Sequence, residues 1–353
     1  PVFAFHSIEP RDFERKVAHL YTNGYRTVHL DDVVRHLEGN RPLPERSVAL
    51  TIDDGRLSTW SVAFPILRRY GMCATAFVIP GYVDSAQHVR PTLDDESVSA
   101  IWHGTSADRS SVMTWAEIEV LHRSGVISIE SHSMLHKMVY VSDDCVDFLN
   151  PQLERPIFKI PMAPDRRHAW SEKELAGLVG APLFRRAQIL ETESAFIPAS
   201  QPVESCRRLV RDHGGAEFFR RPTKSWKREL RGALAAAGRD GWFTDTEESQ
   251  RWEIAAAKQE IEQRLPGKTV KHFCYPRSGG SERANRLLKE TGHVSCVWGI
   301  RPAESSNRPG CDPFHIGRLK HDFVYCLPGR GRKHFAQIYA EKGMRRLRGE
   351  TGF

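Results

Sequence analysis

The chain has 353 residues, of which 40% are hydrophobic and 27% are charged, and its formal net charge is +7. This balance is ordinary for a soluble globular enzyme, and the length allows one large α/β domain or two smaller ones. The sequence lacks an apolar run of about 18 or more residues, which excludes a helix that spans a bilayer. The basic residues are dispersed and form no recognised nucleic-acid-binding motif, so we expect no nucleic-acid partner.

The first third of the chain alternates strand and helix signals. Residues 2–5 predict a short buried strand, and apolar residues at helical spacing then predict a helix that ends at Gly24. Residues 27–30 predict a second strand, which is followed by a short helix that Asp31 caps and that runs through Leu37.

The same alternation continues to residue 129. Further strands are predicted at 47–53, 74–79 and 126–129, with a helix at 59–69 and another that ends at Gly125. Thr114 and Glu117 have the spacing of a capping box and mark where the second of these helices begins. Repeated βα units imply a mostly parallel sheet with helices outside, in a barrel or a doubly wound fold. Chemistry in such folds gathers at the carboxyl ends of the strands.

Residues 140–245 break this rhythm and are interpreted as an insertion. Within it, helical segments are predicted near 171–179 and 203–212. The pattern then resumes with a helix at 248–265, a strand at 271–275, a helix at 281–291 and a last strand at 314–319. The tail at 328–353 is basic. We expect it to form a solvated helix, with peripheral contact to an anionic membrane surface as the alternative.

Two adjacent acids, Asp53 and Asp54, follow directly on the apolar run at 47–52. A buried strand does not easily accommodate two unpaired carboxylates, because removing each charge from water costs several kcal/mol or more. A cation is therefore expected beside them. A metal ion is the simplest candidate, because it offsets the repulsion between neighbouring acids.

Two histidines, His132 and His136, lie four residues apart just past the predicted strand at 126–129. Such a histidine pair is common by chance. Together with an acid pair at another strand end, it indicates a metal site. One carboxylate and two imidazoles make a three-ligand site that leaves positions for water and substrate. The second carboxylate can then stay unligated and serve as a base.

Four segments, taken in order, resemble the NodB-homology polysaccharide deacetylases, carbohydrate esterase family 4 in a broad sense. They are Pro-Val-Phe-Ala-Phe-His-Ser-Ile at 1–8, Thr-Ile-Asp-Asp-Gly at 51–55, His-Ser-Met-Leu-His-Lys at 132–137 and Phe-Cys-Tyr-Pro at 273–276. The first and last are similar to the branch that includes the biofilm poly-N-acetylglucosamine deacetylases. Two positions depart from the family pattern: Ile52 replaces an aromatic residue and Lys137 replaces a proline.

The resemblance implies an α/β fold, a distorted (β/α) barrel of about seven strands. Residues 1–139 and 246–327 would form the NodB-like barrel, 140–245 an insertion or lid, and 328–353 the basic tail. The insertion is far longer than the family's usual connection. The size of the substrate is therefore not implied by the resemblance.

The resemblance also implies roles for individual residues. One divalent metal ion, Zn²⁺ in preference to Ni, Co or Fe, would be held by Asp54, His132 and His136. Asp53 would be the general base and His6 the general acid, with His321 as the rival acid. Substrate or oxyanion contacts are expected from Tyr275 through its backbone N–H, from Pro276, and from Arg318, which could also orient Asp53.

The predicted function is metal-dependent hydrolysis of an N-acetyl group from an amino sugar or an N-acetylated polysaccharide. One alternative keeps this chemistry on a nucleotide- or lipid-linked amino sugar or another small amide. A second alternative is a catalytically silent carbohydrate-binding protein on the same fold. Seven cysteines without CxxC spacing indicate free thiols and a reducing compartment. We therefore expect a cytoplasmic protein, or an exported one if a signal peptide was removed before Pro1.

Overall fold

A computed structural model of the chain describes residues 1–95, 112–151, 160–238, 240–300 and 307–347. The chain folds as two compact units. The barrel unit comprises Pro1–Met134, Ile254–Ser278 and Leu288–Phe353, and the inserted unit comprises Leu135–Glu253 and Gly279–Leu287. None of the helices in the described ranges is long and apolar enough to cross a membrane.

The described residues contain twelve strands and ten α-helices. The strands are β1 (Val2–Phe5), β2 (Arg26–Thr27), β3 (Ser47–Ile52), β4 (Ala74–Val78), β5 (Ile127–Ser131), β6 (Met138–Phe148), β7 (Pro182–Gln188), β8 (Ser194–Pro198), β9 (Gly241–Asp245), β10 (His272–Cys274), β11 (Ser295–Ile300) and β12 (Ile316–Lys320). The helices are α1 (Pro10–Thr22), α2 (Leu30–Leu37), α3 (Phe64–Arg69), α4 (Trp115–Ser124), α5 (Glu172–Gly177), α6 (Ser200–Asp212), α7 (Thr223–Ala237), α8 (Glu247–Arg264), α9 (Glu282–Glu290) and α10 (Phe335–Leu347).

Seven parallel strands close into a barrel. They follow one another in the order β1, β12, β11, β10, β5, β4 and β3, and β3 pairs again with β1. The strand β2 extends the sheet at the start of β3. Because all of these strands run in parallel, their carboxyl ends lie at one rim of the barrel. The predicted α/β fold, a barrel of about seven strands, is confirmed.

One apolar cluster combines barrel residues with α2. It includes Val2, Ala49, Phe77, Val297 and Ile316, each from a different barrel strand. Four residues of α2, at spacing i, i+3, i+4 and i+7, join the cluster: Leu30, Val33, Val34 and Leu37. This apolar stripe explains why the strand predicted at 27–30 is shorter than expected. The strand covers only Arg26–Thr27, and Asp31 lies in the first turn of α2 rather than at its cap, which is His29.

Other local predictions hold with small changes. The capping box between Thr114 and Glu117 is present, and Gly125 ends α4 in the left-handed conformation. Ser281 caps α9, since its hydroxyl accepts the Ala284 N–H at 3.1 Å. The helix predicted at 59–69 begins as a π-helical turn, Thr59–Ala63, before α3. The strand β11 was not predicted.

The inserted unit contains two antiparallel ribbons and a pair of helices. The ribbon β6–β7 pairs Met138 with Gln188 at one end, and β8 pairs with β9. Both helical predictions in this part of the chain correspond to helices, α5 and α6. The helices α6 and α7 enclose an apolar cluster that includes Cys206, Trp226 and Leu230.

The predicted division into barrel, insertion and tail at residues 139/140, 245/246 and 327/328 stays a prediction. Residues 328–347 of the predicted tail belong to the barrel unit and include α10, whereas residues 348–353 lie outside the described residues. All seven cysteines are free thiols in this structure.

His293 makes the stability of the barrel unit sensitive to acid. Burial, assisted by the charge of Lys258, lowers the pKa of His293 to about 3. Below about pH 6.5 the unfolded chain therefore binds a proton that the folded chain rejects, so the free energy of unfolding falls as the pH falls. Between pH 7 and pH 5 this one group is expected to remove about 2 kcal/mol of stability.

The measurement is urea unfolding of the native chain and of His293→Gln at pH 7 and pH 5. The variant should lose about 2 kcal/mol less than the native chain over this interval, because Gln does not titrate. The comparison of the two proteins removes the contribution of all other groups. Equal losses in both proteins would contradict the assignment of a neutral, buried His293.

Candidate metal centre

The rim of the barrel carries the residues that the sequence singled out. Asp53 and Asp54 follow β3, His132 follows β5, and Tyr275 follows β10. His6 follows β1. These five residues come from four separate segments of the sequence and lie on loops that leave the same end of a parallel barrel.

Asp54, His132 and His136 form a compact buried group. One ligand atom from each residue lies within 4.8 Å of the other two. The Nε2 atom of His132 lies 3.6 Å from Oδ1 of Asp54. The structure therefore brings the three predicted metal ligands together.

The orientation of His132 is set by a hydrogen bond outside the group. Its Nδ1 atom lies 2.8 Å from the carbonyl oxygen of Cys274, so this nitrogen carries the proton and donates. In the neutral imidazole that binds metal, this arrangement leaves the lone pair on Nε2, the atom that faces Asp54. A carbonyl partner on the distal nitrogen is the usual support of a histidine that binds metal.

Burial alone would lower the pKa of His132. The surrounding groups, Cys274 and the carboxylates of Asp54 and Asp53, outweigh burial and raise the pKa of His132 well above its ordinary value. A site whose surroundings favour positive charge at this position is electrostatically suited to a cation.

Backbone strain concentrates on the same loops. Asp54, Ser133 and His136 adopt the left-handed region with φ of 72°, 66° and 50°, and Arg277, two residues after Tyr275, has φ 61°. Non-glycine residues rarely adopt this conformation, which costs about 1–3 kcal/mol each. Strain of this kind persists where the surroundings hold a side chain in a required position. The donor set, its burial and its strained backbone together fit a divalent ion held by one carboxylate and two imidazoles.

Asp53, His132 and Cys274 make a second group whose ligand atoms lie within 4.8 Å. This group is the weaker candidate. Burial raises the pKa of the Cys274 thiol, whereas a metal ligand must be a thiolate. Asp53 is in addition engaged by an arginine.

Asp53 is held apart from the ligand group by its own partners. Arg318 Nη1 donates to Asp53 Oδ1 at 2.7 Å, and His6 Nε2 lies 3.5 Å from Oδ2. Burial alone would raise the pKa of Asp53, but the charges of Arg318, His6 and His132 hold it below its ordinary value. Asp53 is therefore ionised, buried and close to a histidine, as a general base beside the ligand group requires.

Arg318 is itself buried and fixed by three acceptors. Besides Asp53, it donates to the Trp298 carbonyl oxygen at 2.9 Å and to the Thr51 hydroxyl at 3.2 Å. The attraction of Asp53 raises the pKa of Arg318 although burial opposes it. Of the two roles expected for Arg318, this geometry supports the orientation of Asp53.

The two candidate acids have different surroundings. The His6 side chain is 37% exposed and lies beside Asp53, where a substrate can reach it. The His321 ring instead stacks on Phe5, with centroids 5.0 Å apart, and its Nδ1 lies 3.8 Å from Asp322 Oδ1. The geometry favours His6, and the assignment of the acid stays a prediction.

Tyr275 and Pro276 are both buried. The Tyr275 N–H, which was expected to bind an oxyanion, donates to the Val297 carbonyl oxygen at 3.1 Å as part of the sheet. It would have to leave this partner to contact a substrate. The oxyanion role of Tyr275 and the substrate contact of Pro276 therefore stay predictions.

Several residues that support the site were not predicted. Arg56 donates to Asp54 Oδ2 through Nε at 3.2 Å and through Nη2 at 3.0 Å. Gln188 contacts His136 from the end of β7, and Cys274 orients His132 through its carbonyl oxygen. Only Arg56 had a signal in the sequence, because it follows the Asp-Asp-Gly motif directly.

Part of the chain is similar to known proteins. Residues 40–156 match the polysaccharide deacetylase family. This part of the chain is similar to polysaccharide deacetylases. Over 129 residues it is 30% identical to the poly-beta-1,6-N-acetyl-D-glucosamine N-deacetylase of Escherichia coli K12. That match takes in 36% of this chain and only 18% of the relative.

Solved structures show a similar fold over most of the chain. IcaB from Ammonifex degensii superposes with a TM-score of 0.51 at 17% identity, over 90% of each chain. The BpsB deacetylase domain from Bordetella bronchiseptica gives 0.54 at 16% identity, over 90% of this chain and 94% of its own. The predicted resemblance to the polysaccharide deacetylase family is thus confirmed.

Proposed function

We propose that this chain hydrolyses the N-acetyl group of an N-acetylated amino sugar within a polysaccharide. The observation that carries this proposal is the division of the rim residues into two sets. Asp54, His132 and His136 form a buried ligand group, while Asp53 is kept ionised beside it. The relative in E. coli, whose name states such an activity, supports the choice of substrate class.

A divalent metal would be held by Asp54, His132 and His136, and Zn²⁺ suits two imidazoles and one carboxylate, with Ni, Co or Fe as alternatives. When bound, such an ion supplies Lewis-acid activation of water and of the acyl carbonyl. The chain's own residues would move the protons. Asp53 accepts a proton from the attacking water while the water oxygen forms a bond to the acyl carbon.

The leaving amine needs a proton before the C–N bond can break. His6 can supply it, since it lies beside Asp53 and is partly open to solvent. Bond cleavage then yields acetate and a sugar residue that carries a free amino group. Arg318 keeps Asp53 oriented throughout, because its guanidinium is fixed by Trp298 and Thr51 as well as by Asp53.

The test is a deacetylase assay on three substrate classes: a poly-N-acetylglucosamine oligomer, free N-acetylglucosamine and a nucleotide-linked N-acetylhexosamine. The proposal expects release of acetate from the oligomer, loss of turnover after chelation, and recovery on addition of Zn²⁺. Turnover of the nucleotide-linked sugar alone would favour the small-substrate alternative. Binding of the oligomer without turnover in any metal would favour a catalytically silent carbohydrate-binding protein.

We also propose peripheral contact of the basic tail with an anionic membrane surface. Phe335 and Tyr339 on α10 are 62% and 60% exposed, which supports this contact. Co-sedimentation with anionic and neutral vesicles tests it, and equal binding to both would contradict an electrostatic contact. Placement in the cytoplasm, and the absence of a nucleic-acid partner, stay predictions.

A further inference from the structure

Lys137 stands where the family has a proline, and its side chain is fully buried in the inserted unit. Its ammonium donates to the carbonyl oxygens of Pro164 at 2.9 Å and Arg166 at 2.7 Å. Glu253 Oε1 lies 3.5 Å from the same nitrogen, and the Trp252 ring lies 5.1 Å away. A charged lysine is rarely buried unless it is paired in this way.

Glu253, the acidic partner, is equally buried and has a second contact. Its Oε2 atom accepts the Leu135 N–H at 2.9 Å. The pair therefore flanks His136. Glu253 binds the residue before it, Leu135, and Lys137 is itself the residue after it.

Two further bonds hold the same short segment. Gln188 Nε2 donates to the His136 carbonyl oxygen at 3.1 Å and lies 3.0 Å from its Nδ1 atom. The Ile189 N–H donates to the Lys137 carbonyl oxygen at 3.0 Å. His136 itself has φ 50°, a conformation that the surroundings must maintain.

We propose that Lys137 and Glu253 are positioning residues that hold His136 in this strained conformation, ready to bind metal. Both residues, like His136, belong to the inserted unit. This inference rests on the metal site of the proposed function.

The competing explanation is that the pair stabilises the inserted unit and does nothing for the metal. Stability and metal affinity must therefore be measured separately. The variant Lys137→Met leaves Glu253 buried without its cation, which destabilises the fold. The double variant Lys137→Met, Glu253→Leu removes both charges and should recover much of that stability.

The experiment measures Zn²⁺ affinity of the full chain by competition with a chelating dye, together with the visible spectrum of the Co²⁺ form. Lys137→Met is expected to weaken Zn²⁺ binding by about 10–100-fold, the usual effect of losing a residue that orients a ligand. The double variant should stay weak in Zn²⁺ binding although its urea midpoint recovers, and its Co²⁺ spectrum should differ from that of the native chain.

The matched control is Lys227→Met, which breaks a lysine–carboxylate pair of 2.8 Å with Asp147 in the same unit. Its Zn²⁺ affinity should equal that of the native chain. If Lys137→Met does not fold, Glu253→Gln, which keeps an acceptor for the Leu135 N–H, should still weaken binding.

If Lys137→Met binds Zn²⁺ within about twofold of the native affinity, the positioning role is overturned, since a lost orienting contact costs about 10-fold or more. Where Lys137→Met does not fold, the same result in Glu253→Gln overturns it. His136→Ala separates this failure from that of the metal site. If His136→Ala binds Zn²⁺ with the native affinity, His136 is not a ligand. The proposed metal site itself would then be wrong.

Discussion

Asp53→Asn is expected to lower kcat by about 10²–10⁴-fold, the range associated with the loss of a general base. Asn has the shape of Asp and can still accept the hydrogen bond that Arg318 Nη1 donates at 2.7 Å. It cannot take a proton from water. The effect should therefore fall on kcat with little change in KM, because substrate contacts are kept.

The control for Asp53→Asn is metal content. Asp54, His132 and His136 are intact in this variant, so the bound Zn²⁺ measured after dialysis should match that of the native chain. A variant that turns over at the native rate would show that Asp53 is not the base. A variant that loses its metal would instead place Asp53 among the ligands.

The acid pair shows how far the sequence could be interpreted. Its position at a strand end was predicted correctly, and so was the need for positive charge. The structure supplies part of that charge from two arginines: Arg56 contacts Asp54, and Arg318 contacts Asp53. Arg318 is 265 residues from Asp53 along the chain, and only closure of the barrel by β12 brings them together.

The inserted unit was the hardest part to predict because its strands and buried contacts join residues that are far apart in the sequence. Met138 pairs with Gln188 across the β6–β7 ribbon, which brings Gln188 to His136. Glu253 reaches Leu135 from 118 residues away. Neither residue belongs to a motif, and a lone glutamine or glutamate on a helix or strand is usually solvated. The local helical signals near 171–179 and 203–212 were by contrast sufficient, and they correspond to α5 and α6.

Arg318→Met is expected to destabilise the barrel unit by about 3–5 kcal/mol at pH 7. Asp53 is about 1% exposed, so without the guanidinium its carboxylate stays buried with its main partner removed. Met fills a similar volume, and the loss therefore reports on charge rather than on a cavity. Urea unfolding measures it, and Arg69→Met, which removes an arginine that is 50% exposed, serves as the control. That control should change stability by about 1 kcal/mol or less.

The sign of the pH dependence distinguishes this cause from a packing defect. Burial raises the pKa of Asp53 and Arg318 lowers it, so in Arg318→Met the pKa of Asp53 must rise. Burying a protonated Asp53 costs less free energy than burying the carboxylate. The difference in free energy of unfolding between the native chain and Arg318→Met should therefore become smaller as the pH falls. The double variant Arg318→Met, Asp53→Asn, which carries neither charge, should recover most of the lost stability at pH 7. A loss of stability that is equal at all pH values and persists in the double variant would contradict this cause. It would mean that Arg318 stabilises the fold by packing and that Asp53 stays ionised without Arg318.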